Sequence, residues 1–274
     1  MGNIRVIGPR GSGKTSYLAA LAYSPNNTKA RQVKKFTIQS LNEETRELAE
    51  KAENIIQEGL SLEPTTVTGG IDSLPFYSFR IETQTYFGRA AEINLAVRDY
   101  PGEIFEELES GKNTPLTEEF IDECLMRDVN GCLILLTEWT KGTDKFYKRV
   151  LKRFTDLIDS HDRANDLRLA VAMSKCERGE LWPGRLEPER DLFDIHLPQT
   201  KAILQAKIPP KNLRFYAIST FGVLKHNDPR PNRVDELGTN GRNSSLRKSS
   251  TWQPYGMISP LYWLSTGKRM RDDA

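Results

Sequence analysis

Gly8-Pro9-Arg10-Gly11-Ser12-Gly13-Lys14-Thr15 stands between a short apolar run, Ile4, Val6 and Ile7, and the stretch Ser16-Tyr17-Leu18-Ala19-Ala20-Leu21-Ala22. The octet fits G-x-x-x-x-G-K-[ST] at every fixed position, and its flanks predict strand, glycine turn and helix, the context that the pattern needs. Backbone N–H groups can wrap a phosphate only where the chain turns tightly and no Cβ intrudes, which Gly8, Gly11 and Gly13 permit. The helix that follows points its N-terminal amides and dipole at the same phosphates. Lys14 is expected to reach the β- and γ-phosphates of a nucleoside triphosphate and Thr15 to take one position on an octahedral Mg²⁺. Ser12 and Ser16 belong to the same nucleotide-binding set.

A chain of 274 residues with 38% hydrophobic content can bury one substantial core, and a single domain is expected. Lys and Arg number 39 against 37 Asp and Glu, a net charge of +2, so there is no global basic field of the kind that nucleic-acid binders carry. Cys124, Cys132 and Cys176 are too scattered for a metal spacing and odd in number. They predict free thiols and suit a reducing cytoplasm. The first strand begins almost at once, so no signal peptide is expected, and no apolar run is long enough to span a bilayer. Val6 stands where an N-myristoylation signal needs Ser or Thr, which argues against that modification.

Beyond the first helix, Pro25-Asn26-Asn27 marks a break. Leu48, Ala52, Ile55, Ile56 and Leu60 recur at helical spacing and predict an amphipathic helix over 42–60. Residues 59–70 follow as a loop with Thr65, Thr66 and Thr68 between a proline and two glycines; one of them, taken as Thr66, completes the Mg²⁺ shell. Alternation predicts two paired strands over 73–85 and 91–97, joined near Phe87-Gly88-Arg89. The second ends in Arg98-Asp99-Tyr100-Pro101-Gly102-Glu103, which puts a Mg²⁺-linked carboxylate, Asp99, and a γ-phosphate-sensing amide, Gly102, at a strand terminus.

Thr114 and Pro115 cap a predicted helix over 115–129. The runs 131–137, 167–173 and 213–218 predict buried strands, and a helix over 144–158 carries a basic face that is read as solvated. Residues 178–206 predict an ordered insertion, 225–250 a mobile polar loop, and 254–266 a helix docked on the sheet.

The order of these motifs resembles P-loop GTPases of the translation-factor and Ras-like class. Asp99-Tyr100-Pro101-Gly102-Glu103 and Pro260-Leu261-Tyr262-Trp263-Leu264 resemble segments of the bacterial double-GTPase-related G domains. The resemblance implies an α/β, doubly wound and mostly parallel sheet with one antiparallel edge strand and helices on both faces. It implies GTP or GDP with Mg²⁺ as ligands, and a protein effector that reads the nucleotide-sensitive loops. Ser174-Lys175-Cys176-Glu177 occupies the place of the base-reading [N/T]-K-x-D motif. Lys175 is then expected along the base, Glu177 to accept two N–H bonds of guanine, and Ser219 to face the guanine O6. Glu103 replaces the glutamine that orients water in Ras-like enzymes, and Arg10 stands where those proteins have glycine, placed to act on transition-state charge in cis or to block an external arginine.

Taken together, these features predict a guanine-nucleotide switch with slow hydrolysis of the acid anhydride, involving Lys14, Arg10 and Gly102. An ATP-dependent ATPase or kinase and a non-hydrolysing nucleotide-binding scaffold are the competing readings.

Overall fold

Strand β5 (Val129–Leu136) sends Cys132, Ile134 and Leu136 to one face and Leu133 and Leu135 to the other, every one of them buried. Its neighbour β6 (Arg168–Met173) does the same with Leu169, Val171 and Met173 against Ala170 and Ala172. Strands that are apolar on both faces need a helical layer on each side, and that is the architecture found. The computed structural model describes residues 3–23, 36–58, 73–83, 91–137, 139–235 and 244–270.

The main sheet adds β1 (Asn3–Ile7), β2 (Phe36–Ser40), β3 (Phe76–Thr83), β4 (Ala91–Arg98) and β7 (Leu213–Ala217), in the order β2-β3-β4-β1-β5-β6-β7. From β4 to β7 every pair is parallel, whereas β3 runs antiparallel to both β2 and β4. The expected doubly wound sheet with an antiparallel edge is therefore present. It has one more strand than expected: β2 is a short stretch whose residues alternate between partly buried and exposed.

One face is covered by α1 (Lys14–Tyr23), α2 (Glu43–Glu53) and the C-terminal α8 (Ser259–Thr266). The predicted amphipathic helix is α2 with a π-turn over Asn54–Glu58, and it buries Leu48, Ala52, Ile55 and Ile56. The other face carries α3 (Ile104–Ser110), α4 (Pro115–Leu125), α5 (Lys141–Ser160), a three-residue α6 (Asp194–His196) and α7 (Pro198–Lys207). Thr114 caps α4 by accepting from the Thr117 N–H at 3.2 Å. The basic face of α5 is partly neutralised, with Arg149 donating to Glu109 at 2.6 Å and Lys152 to Asp156 at 2.8 Å. Among the described residues no helix is long and apolar enough to cross a membrane. The three cysteines are free and buried.

Much of the stretch expected to be mobile over 225–250 is built into the fold. It forms β8 (Val223–Lys225) with β9 (Asp228–Pro231), and β10 (Arg233–Asp235) with β11 (Ser244–Leu246). Asn232 anchors it: wholly buried, its amide donates to the Lys248 carbonyl at 3.0 Å and accepts from the Lys248 N–H at 2.8 Å, while its own N–H donates to Gly222. One buried amide with its polar groups satisfied compensates for the low apolar content. The insertion after β6 is likewise packed, burying Leu192, Phe193 and Leu197.

Helix α8 fills the core as a strand would, with Leu261, Trp263 and Leu264 buried and the Leu264 carbonyl accepting from Arg168 at 2.8 Å. Trp263→Ala should cost ~3–5 kcal/mol in urea denaturation, the usual range for emptying an aromatic core site. A cost below ~0.5 kcal/mol, the range of ordinary surface substitutions, would show α8 to be peripheral.

Candidate functional site

Because β1, β4, β5, β6 and β7 are mutually parallel, their C-terminal ends open on one edge of the sheet, where ligands of doubly wound folds gather. β1 delivers the glycine loop. Gly11 and Gly13 take φ of 73° and 87°, the left-handed region that favours glycine. A Cβ on Gly8 would lie 2.5 Å from the Leu135 carbonyl oxygen and 2.6 Å from Ser12 Oγ, so the loop enters by a path open to hydrogen alone.

Lys14 opens α1 and folds back over the loop, its Nζ donating to the Gly8 carbonyl at 2.7 Å and to the Pro9 carbonyl at 3.3 Å. Burial pushes its ammonium pKa down, and the negative charges of Asp99 and Glu103 pull it back up. Thr15 Oγ1 donates to Asp99 Oδ2 at 3.1 Å, joining the start of α1 to the end of β4. Ser12 Oγ is buried with no hydrogen-bond partner among the described residues, a hydroxyl suited to an incoming oxyanion. Ser16 lies in the first turn of α1 beside Thr15.

Two residues after Tyr100, Gly102 lies against the loop so closely that a Cβ on it would overlap the Arg10 N and Cα. The next residue, Glu103, pairs with Arg10 at 3.1 Å, both side chains about half exposed. Glu103 is thus tied to the glycine loop through Arg10. Thr65, Thr66 and Thr68 lie outside the described residues.

At the other end of the edge, β6 brings Ser174, Lys175 and Glu177, and the turn after β7 brings Ser219. The Ser174 hydroxyl donates to the Leu136 carbonyl at 2.9 Å and joins β6 to β5. Lys175 has φ of 56°, and burial, then the charges of Arg233 and Arg178, push its pKa down to about 8. Glu177 and Ser219 do meet, Ser219 Oγ donating to Glu177 Oε2 at 2.7 Å. Contrary to the expectation of a carboxylate open to a base, Glu177 is 0% exposed and its other oxygen lies 3.3 Å from Arg233 Nη1. Arg233 and its neighbour Asp235 were not among the expected site residues. They lie more than 50 positions further on in a polar stretch, without a pattern that marks them.

No protein-family model matches the sequence, and a search of curated proteins finds no match. Solved structures do match. One is the signal recognition particle receptor SRb-GTP/SRX complex from Chaetomium thermophilum, at 12% identity and a TM-score of 0.39, covering 81% of this chain and 92% of that one. A second is the Ski7 GTPase-like domain of S. cerevisiae bound to GTP, at 14% identity and a TM-score of 0.42, covering 80% of this chain and 42% of that one. A third is Sup35 complexed with GMPPNP, at 9% identity and a TM-score of 0.40, covering 98% of this chain and 45% of that one. The chain spans less than half the length of the last two.

The partly buried ammonium of Lys175 gives a pH test. Its proton is bound more weakly in the folded protein, about 8, than at the ordinary value of 10.5, so the unfolded chain holds more protons between those values and stability rises with pH across that window. Lys175→Met should remove the rise. Urea denaturation at pH 7 and pH 10 should show the parent gaining on the variant by on the order of 2–3 kcal/mol. Parallel behaviour of the two proteins would mean that Lys175 is well hydrated.

Proposed function

We propose that the protein is a Mg²⁺-dependent guanine-nucleotide-binding switch with slow intrinsic GTP hydrolysis. The observation that carries this reading is the contact of Thr15 with Asp99, 3.1 Å across the ends of α1 and β4, beside the partly buried Lys14. A hydroxyl and a carboxylate so placed suit a metal that keeps several waters and shares its shell with phosphate oxygens, with Thr66 as a further ligand. Mg²⁺ held there supplies charge neutralisation on the β- and γ-phosphates. Lys14 exchanges two neutral carbonyls for an anion, and the loop amides and Ser12 donate to the same oxygens.

Guanine is preferred to adenine because the base end of the edge offers carboxylates, which accept from the N1–H and exocyclic N–H of guanine; adenine presents no such donor pair. The switch reading rests on Gly102. Its backbone touches the phosphate loop, so a γ-phosphate seated there must displace or engage the 99–103 turn, and a protein effector can read that change. Slow hydrolysis follows from Glu103. A carboxylate at that place repels the γ-phosphate, and its pairing with Arg10 keeps that guanidinium from transition-state charge until the pair opens. The same pair favours a non-hydrolysing scaffold as the second reading, and single-turnover hydrolysis decides between them.

Calorimetric titration with GTP, GDP and ATP, with and without Mg²⁺, tests the whole reading. GTP should bind more tightly than ATP and should require the metal for full affinity. Lys14→Ala should weaken Mg²⁺-GTP roughly 100-fold, the loss of hydrogen bonds to a charged group, without lowering the stability of the nucleotide-free protein. Asp99→Asn should flatten the Mg²⁺ dependence. A preference for ATP would overturn the guanine assignment, and unchanged binding by the Lys14 variant would remove the phosphate loop from the proposal.

A further inference from the structure

At the base end, the carboxylate supplied by the motif position is consumed inside the protein. Glu177 Oε2 accepts from Ser219, whose oxygen in turn accepts from the Gly222 N–H at 2.8 Å, and Glu177 Oε1 faces Arg233. A guanidinium offers a carboxylate planar N–H donors, much as the N1–H and exocyclic N–H edge of guanine does. Arg233 therefore meets, within the chain, the hydrogen-bonding need that a base would meet. It is itself buried, its guanidinium 5.4 Å from the centre of the Phe221 ring, and it is held on the far side by Asp235 and by Ser244 Oγ at 2.6 Å.

Asp235 differs from Glu177 in each respect that matters for reading a base. Its side chain is 41% exposed. Ser244 Oγ and Arg233 Nε both donate to its Oδ1, while its Oδ2 lies 4.0 Å from Arg178, beyond hydrogen-bond distance. Although burial works against it, the hydrogen bonds from Arg233 and Ser244 hold its carboxyl below the ordinary value, so it is an anion at neutral pH. Its two guanidinium neighbours tie it to the motif: Arg233 also reaches Glu177, and Arg178 follows Glu177 directly in the chain. Arg178 lies over the Trp139 ring, 5.6 Å from its centre.

We infer that Asp235, on the β10–β11 hairpin, is the specificity-determining acceptor for the N1–H and exocyclic N–H of the base, and that Arg233 is the positioning residue that fixes it against Glu177. This rests on the guanine reading above and relocates its recognition carboxylate by 58 residues, from the end of β6 to a hairpin outside the main sheet.

Xanthosine triphosphate separates the possibilities. Xanthine keeps the N1–H but carries a carbonyl where guanine has the amine, so a side-chain amide, with one acceptor and one donor, matches xanthine as a carboxylate matches guanine. The experiment titrates Mg²⁺ complexes of GTP, xanthosine triphosphate and ATP into the full chain and into its Asp235→Asn, Asp235→Glu and Glu177→Gln variants. Ratios between nucleotides are read, since these do not move with a stability loss common to all three. Asp235→Asn should lose roughly 10- to 100-fold in GTP affinity relative to ATP and gain xanthosine triphosphate over GTP. Asp235→Glu should keep GTP ahead, and Glu177→Gln, whose amide oxygen can still accept from Arg233, should keep GTP ahead of xanthosine triphosphate. Inversion in Glu177→Gln with none in Asp235→Asn would overturn the inference while keeping the guanine reading, because guanine would then displace Arg233 to reach Glu177. Unchanged ratios in both variants would overturn it too. A parent that prefers ATP would overturn the guanine reading itself.

Discussion

Lys14, partly buried, donates to the Gly8 and Pro9 carbonyls with the charges of Asp99 and Glu103 nearby, and the arrangement around the glycine loop follows from satisfying that cation. A buried ammonium needs compensating hydrogen bonds and charge. The loop carbonyls can face inward because Gly11 and Gly13 adopt backbone angles closed to most residues. Asp99 can stand close because β4 pairs with β1 in parallel and so ends on the same edge. Gly102 can lie against the loop because it lacks a Cβ. Glycines and parallel register thus serve one electrostatic requirement.

What was legible in the sequence divides along physical lines. Strands β1, β5 and β6 lie inside the sheet, and their apolar runs are unmistakable; β3 and β4 alternate over eight residues each. β2 escaped notice because five residues with two apolar side chains, Phe36 and Ile38, make too short a pattern. α3 escaped for a similar reason, its seven residues lying between the Gly102 turn and Gly111, whose φ of 73° ends the helix. The β8–β11 segments have three or four residues each, and what orders them is a buried asparagine and a buried arginine, which composition counts as polar.

The same division runs through the site. Local motifs bring their residues together through the sheet alone, so Lys14, Thr15, Asp99, Gly102, Glu177 and Ser219 could be placed at the strand ends from spacing. Side-chain orientation is set by partners elsewhere in the chain. Glu177 stands at its expected strand end, yet its carboxylate turns inward because Arg233, 56 residues away, completes its hydrogen bonds. Glu103 pairs with Arg10, two positions each read separately as departures from Ras-like enzymes that compensate one another as an ion pair.

That compensation bears on how the two ends of the edge differ. At the phosphate end the Arg10–Glu103 pair is half exposed, and such pairs contribute little, of order 0–1 kcal/mol, so an incoming anion can separate them readily. At the base end Arg233 and Glu177 are both buried, and removing one partner from a buried pair typically costs ~3–5 kcal/mol because the other charge is left uncompensated. A base that had to break the second pair would spend about as much as a carboxylate returns through two hydrogen bonds, ~3–6 kcal/mol, and so would gain little. The contrast in burial favours a phosphate end that rearranges and a base end that stays assembled, with recognition passing to the carboxylate of Asp235 that the buried pair holds in place.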